Sequence, residues 1–120
     1  MTIHYLKPPT QPRSQFDDRA IRCAGCGFEY GTHHYRTEIF NRAQEDHETG
    51  THITVQNHTV EQDDDVETNN PSSRRDGIRI LMWCECCPAV TVIEISQHKG
   101  MTHLSTREAP PEIQNPKWDN

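Results

Sequence analysis

The feature that most limits how this chain can fold is a pair of cysteine clusters far apart in sequence, Cys23-Ala-Gly-Cys26 and Cys84-Glu-Cys86-Cys87. Two thiolates two residues apart can grip one ion from a tight turn, and Gly27 relieves the crowding where backbone amides point back at sulfur. The second cluster repeats that spacing between Cys84 and Cys87. Two such pairs supply the sulfur tetrahedron that zinc prefers. The sequence therefore predicts one structural Zn2+ per chain, held by Cys23, Cys26, Cys84 and Cys87, with Cys86 a spare thiol. Four thiolates close the coordination shell and leave no position for a substrate. The competing account, buried structural thiols or a redox pair, suits a single Cys-x-x-Cys better than two. A compact zinc ribbon separates its pairs by roughly 15–20 residues, whereas here 57 residues lie between Cys26 and Cys84. A β-hairpin from Tyr35 to Val60 is therefore expected as an insertion that extends the sheet.

A metal is also what the composition calls for. Leu, Ile, Val and Phe together number 20 of the 120 residues, under the roughly 20 per cent expected of a chain that folds by burial alone. The apolar residues are nonetheless concentrated: Ile78, Ile80 to Trp83, Val90, Val92, Ile93 and Ile95 fall close together, where disorder would spread them thinly. A small domain with so thin a core gains from zinc, whose binding is worth on the order of 10–16 kcal/mol of folding free energy. The start lacks the basic-then-apolar order of a signal peptide, and no apolar run approaches the ~18 residues of a membrane span. A soluble, reducing, cytoplasmic setting follows, in which clustered cysteines point to metal and not to disulfides.

The fold class expected is mainly β: a zinc-ribbon-like antiparallel sheet with the inserted hairpin and irregular N- and C-terminal arms. Tyr35, Thr37 and Ile39 alternate with Arg36 and Glu38. After a turn at Glu48-Thr49-Gly50, Ile53 and Val55 alternate with Thr54 and Gln56. Ile78 to Trp83 is apolar at nearly every position, as a strand covered on both faces would be, and Ala89 to Ser96 is β-branched and apolar at most positions. The domain spans 21–103, with 61–75 an exposed acidic and polar loop. Residues 1–20 and 104–120 are polar and proline-bearing and read as arms, with Phe16 and Trp118 as residues that would pin them.

Charge and histidine patterning suggest further sites. Net charge is −6, which sets a prior against duplex nucleic acid as the main partner. Between Ala43 and Ser73 there are eight acidic residues and no Lys or Arg, while from Arg74 to Arg107 the balance reverses, with five Lys and Arg against three acidic residues. If the two strands flanking the second knuckle are antiparallel, Arg74, Arg75, His98 and Lys99 gather at the end of the sheet far from the metal. There they form a candidate anion- or partner-binding site. The alternative is a solvated rim whose arginines pair with the acidic loop beside them. Asp46-His47, His52, Asn57 and His58 lie between the two cysteine pairs, as the catalytic residues of HNH nucleases do. That motif needs a helix for its later ligand, however, and this segment reads as a strand. Solvated loop histidines are the other account. No nucleophile elbow, phosphate-cradling glycine loop or His-Glu-x-x-His is present, and no enzymatic activity is expected.

The stretch Asn70-Pro-Ser-Ser-Arg-Arg-Asp-Gly77, then Cys84-Glu85-Cys86-Cys87, then Gln97-His-Lys-Gly100 and Thr102, resembles a group of small uncharacterised zinc-ribbon proteins of bacteria and phages. Their pattern is N-P-S-x-R-R-x-G, C-E-x-C and Q-H-K-G-x-T. The resemblance covers the second half of the chain plus the first knuckle and implies Cys87, not Cys86, as ligand. It also implies a phage or prophage setting. A non-enzymatic protein-binding factor is the function expected, with a nucleic-acid-binding ribbon as the alternative and an HNH-like metal-dependent nuclease as a further one.

Overall fold

The computed structural model describes residues 20–117. The N-terminal arm apart from Ala20 lies outside those residues, as do Phe16 and Trp118. Six strands follow in order: β1 Thr32–Arg42, β2 Thr49–Gln56, β3 Thr59–Asp65, β4 Gly77–Cys84, β5 Val90–His98 and β6 Met101–Glu108. They form one sheet in the order β3-β2-β1-β4-β5-β6, and every neighbouring pair is antiparallel. Two three-stranded meanders are thus joined along β1 and β4. The described residues contain no helix, and hence none long and apolar enough to cross a membrane.

Local chemistry explains the tight turns. The β2–β3 link is Asn57-His58 with φ of 52° and 63°, and the β5–β6 link is Lys99-Gly100 with φ of 50° and 77°. Positive φ at both central residues is what a two-residue hairpin loop needs to match the right-handed twist of its strands. Strand β1 carries a bulge at Tyr35, where the register with β4 shifts between His34 and Arg36.

Two expectations need correction. Residues 61–65, expected within an exposed loop, complete β3, so the loop shortens to 66–76. Residues 104–108, expected in an irregular arm, belong to β6, which pairs with β5 along its length. The reason is the same in both cases. An edge strand is held by its backbone ladder to one neighbour, so it needs no apolar alternation, and charged side chains are what keep such an edge from pairing with other chains.

Alternation of side chains gives the sheet two unlike faces. One carries Glu38, Phe40, Arg42, Arg79, Leu81, Val90 and Val92, all buried. It is covered by the loop 66–76, with Val66 fully buried, and by the segment after β6, where Ala109 and Ile113 pack with Leu81, Val90 and Val92. Charge is enclosed here in pairs. Arg79 Nη1 donates to Glu38 Oε2 at 2.8 Å, and His52 lies between Glu38 Oε1 at 3.2 Å and Asp63 Oδ1 at 2.9 Å, its ring stacked on Phe40. The opposite face, containing Ile39, Ile78 and Ile95, has less cover, although Thr91, which accepts from the first knuckle, and Ile93 are buried on it.

Candidate metal centre

The first knuckle precedes β1 and the second joins β4 to β5, so the pairing of Thr32 with Cys84 brings the two together at one end of the sheet. Each knuckle is shaped by its own backbone. Gly27 N donates to Cys23 O at 2.8 Å, and Gly27 itself has φ of 79°, a conformation that L side chains rarely adopt. Ala24 N donates to Thr91 Oγ1 at 2.8 Å, tying the first knuckle to β5. Gly25 lies so close to the second knuckle that a Cβ there would sit 2.5 Å from Ala89 Cβ. A C-terminal residue holds the other knuckle: the buried Asn115 amide donates to the carbonyls of Cys84 at 2.7 Å, Cys87 at 3.1 Å and Ala89 at 3.2 Å. Nothing in the sequence marked Asn115, because it sits in a proline-rich stretch with no periodicity and its partners are backbone carbonyls.

The sulfur atoms of Cys23, Cys26, Cys84 and Cys87 all lie within 4.8 Å of one another. Cys23 Sγ is 3.5 Å from Cys87 Sγ, and Cys26 Sγ is 3.8 Å from Cys84 Sγ. A zinc–sulfur distance of about 2.3 Å in a regular tetrahedron sets sulfur–sulfur edges of about 3.8 Å, so these four residues fit one zinc without rearrangement. Backbone amides already point at the sulfurs: Gly25 N and Cys26 N approach Cys23 Sγ at 3.3 and 3.5 Å, and Cys86 N approaches Cys84 Sγ at 3.3 Å. Such donors favour thiolate. Cys86 is exposed and stands outside the group.

The electrostatics point the same way. Burial pushes the Cys23 thiol up, but the amides of Cys26 and Gly25 and the thiols of Cys87 and Cys84 outweigh it and bring it down to about 7. Burial pushes Cys87 up to about 12, the thiols of Cys23, Cys26 and Cys84 reinforcing the rise, and burial raises Cys84 too. One thiolate forms readily and the next are resisted by its charge. A bound dication removes that resistance, and with four thiolates around it the centre is structural.

The other candidate residues are placed differently. Arg74 makes a two-point contact with Asp46, at 2.7 Å on both arms, and reaches Glu45 at 3.2 Å, while Arg75 reaches Glu45 at 3.0 Å. The Arg74 hydrogen bond holds the Asp46 carboxyl below the usual range. Their acidic partners come from the β1–β2 turn and not from the loop 61–75. Ser72 Oγ donates to Gln97 O at 2.8 Å, which ties the arginine-bearing loop to β5 just ahead of the exposed His98 and Lys99. Much of the Asn70–Gly77 motif has an internal use. Asn70 Nδ2 donates to Val66 O and Arg75 O, Asp76 accepts from Asn41 and from the Arg42 amide, and the Arg42 guanidinium donates to the carbonyls of His47, Ser72, Ser73 and Arg75.

The HNH-type residues are not brought together. Asp46 is paired with Arg74 and His47 Nδ1 contacts Thr49, while Asn57 and His58 turn the chain at the far end of β2 from the β1–β2 turn. His33, His34 and His52 lie on strands and not in loops. Among the described residues, the four cysteines are the one group placed to share a metal.

These features define a class: an all-β domain of one antiparallel sheet, its two cysteine knuckles meeting in the manner of a zinc ribbon around a site for one structural zinc. Beyond the class, comparison with protein families, curated proteins and solved structures finds no match.

Proposed function

We propose that this is a non-catalytic, zinc-fastened binding protein acting through a protein partner, as a phage or prophage accessory factor in a bacterial cytoplasm. The observation that carries this reading is the division of the sheet: its charges sit on the covered face or at the ends, and the other face leaves Ile39, Val60 and Leu104 exposed. A wide apolar surface suits contact with another protein. The phage setting rests on the resemblance of Asn70–Gly77 and the segments after it. The nucleic-acid alternative loses support, since Arg74 and Arg75 are paired with Glu45 and Asp46 and net charge is −6.

A tagged full-length chain expressed in bacteria should recover a protein in stoichiometric amount that an Ile39→Lys variant does not. Recovery of the same set by both, or of none by either from a chain that is also monomeric in solution, overturns the reading. A salt-sensitive gel shift lost in Arg74→Ala would restore the nucleic-acid alternative.

A further inference from the structure

The open face is built in rows that run across strands. Register places Ile53 opposite Ile39, Ile39 opposite Ile78, Ile78 opposite Ile95 and Ile95 opposite Leu104, an unbroken aliphatic line over five strands. Two residues along lies a second line, Val55, Thr37, Ile80, Ile93 and Thr106, which Val60 of β3 extends. Ile39 is 42% exposed, Val60 66% and Leu104 71%, while Ile53, Val55, Ile78, Ile80 and Ile95 are partly buried and Ile93 is 8% exposed. Charge on this face is confined to its margins, at Asp64 of the edge strand β3 and at Glu108, the last residue of β6.

We infer that this face is a self-association surface, on which a second copy of the chain stacks sheet to sheet about a two-fold axis. The inference rests on the protein-partner reading above and names the partner. Area is the first argument. Six strands at about 4.8 Å and rows of seven residues at about 3.4 Å give a whole face of about 700 Å2, which caps what two copies could bury at about 1,400 Å2, within the range of specific interfaces; Thr91 and Ile93 on it are already buried in one copy.

Composition is the second argument. Unlike partners are matched largely by charge, whereas interfaces between identical subunits are the more apolar kind. The two central rows of this face offer aliphatic and threonine side chains and no charge, so they are complementary to themselves. Two twisted sheets stack with strands about 30° apart, which lays one isoleucine row across the other. The acidic residues of the β1–β2 turn lie beyond the strand ends, and on β3 Glu61 and Asp63 alternate onto the covered face, which leaves Asp64 at the margin. Edge-to-edge association through β3 is opposed by Glu61, Asp63, Asp64 and Asp65. Residues 1–19 are a poorer cover, with four large apolar side chains after Met1 and prolines at 8, 9 and 12 against two rows five strands wide.

The test is the solution mass of the purified, zinc-loaded, full-length protein by light scattering and sedimentation at micromolar concentration. The expected result is twice the chain mass of 13.9 kDa, halved by Ile39→Lys and, independently, by Leu104→Lys, with one zinc per chain retained in each. Both positions are exposed in a single copy, so both variants should fold. A dimer that survives both substitutions overturns the inference, because the contact then lies elsewhere. A wild-type monomer overturns it too. If that monomer still recovers a different protein from lysate through Ile39, the partner reading stands while self-association fails. If it neither recovers a protein nor binds an apolar dye, the face is covered from within the chain and both fail.

Discussion

Cys86 and Cys87 are neighbours in the chain, yet Cys87 meets the other three ligands and Cys86 points to solvent. Cys87→Ser should abolish zinc binding and unfold the domain, while Cys86→Ser should leave one zinc per chain and an unchanged melting temperature; elemental analysis and thermal denaturation separate the two. Proton competition follows from the raised thiols. At neutral pH Cys84 and Cys87 carry protons that zinc must displace, so affinity falls by at least about 100-fold for each unit the pH drops. The fall steepens below about 7, where Cys23 is protonated as well. A competition titration with a chromogenic chelator across that range gives the slope. Asn115 is the residue whose importance only its surroundings reveal. Asn115→Ala leaves three carbonyls without their donor and should cost about 1–3 kcal/mol by denaturant unfolding.

At the scale of elements, the two knuckles close on each other only because Gly25 has no side chain. Gly25→Ala places a methyl group 2.5 Å from Ala89 Cβ and should destabilise the domain by about 1–3 kcal/mol, with a matching loss of zinc affinity. The knuckles, β1, β2, β4 and β5 were all legible in the sequence. Spacing marks the first, and apolar alternation or an apolar run marks the strands. The edge strands β3 and β6 were not legible, because Glu61–Asp65 and Leu104–Glu108 are polar and their strand character comes from hydrogen bonds to β2 and β5. The Arg74–Arg75 pair looked like an anion site because no sequence rule places the β1–β2 turn beside it. The fold supplies Glu45 and Asp46 as partners from about thirty residues away.

For the whole molecule, the metal and the sheet stabilise one another. Zinc contributes on the order of 10–16 kcal/mol, as much as or more than the 5–15 kcal/mol by which a domain is typically stable, so a strong chelator should unfold the chain cooperatively, as followed by circular dichroism. Retention of strand signal and a sharp melting transition after metal removal would contradict the fastening role. The chain by itself determined that role: four thiols at knuckle spacing and an aliphatic content too low for a self-sufficient core lead to one structural zinc in a β domain. Tertiary structure alone decided which face of the sheet is covered. Alternation divides the side chains of each strand into two sets without saying which set meets the loops. Here the loop 66–76 and the segment after β6 settle on the charged set, where Glu38, Arg79, His52 and Asp63 satisfy one another, and the isoleucine rows are left with less cover, Ile39 and Leu104 exposed and Ile93 buried.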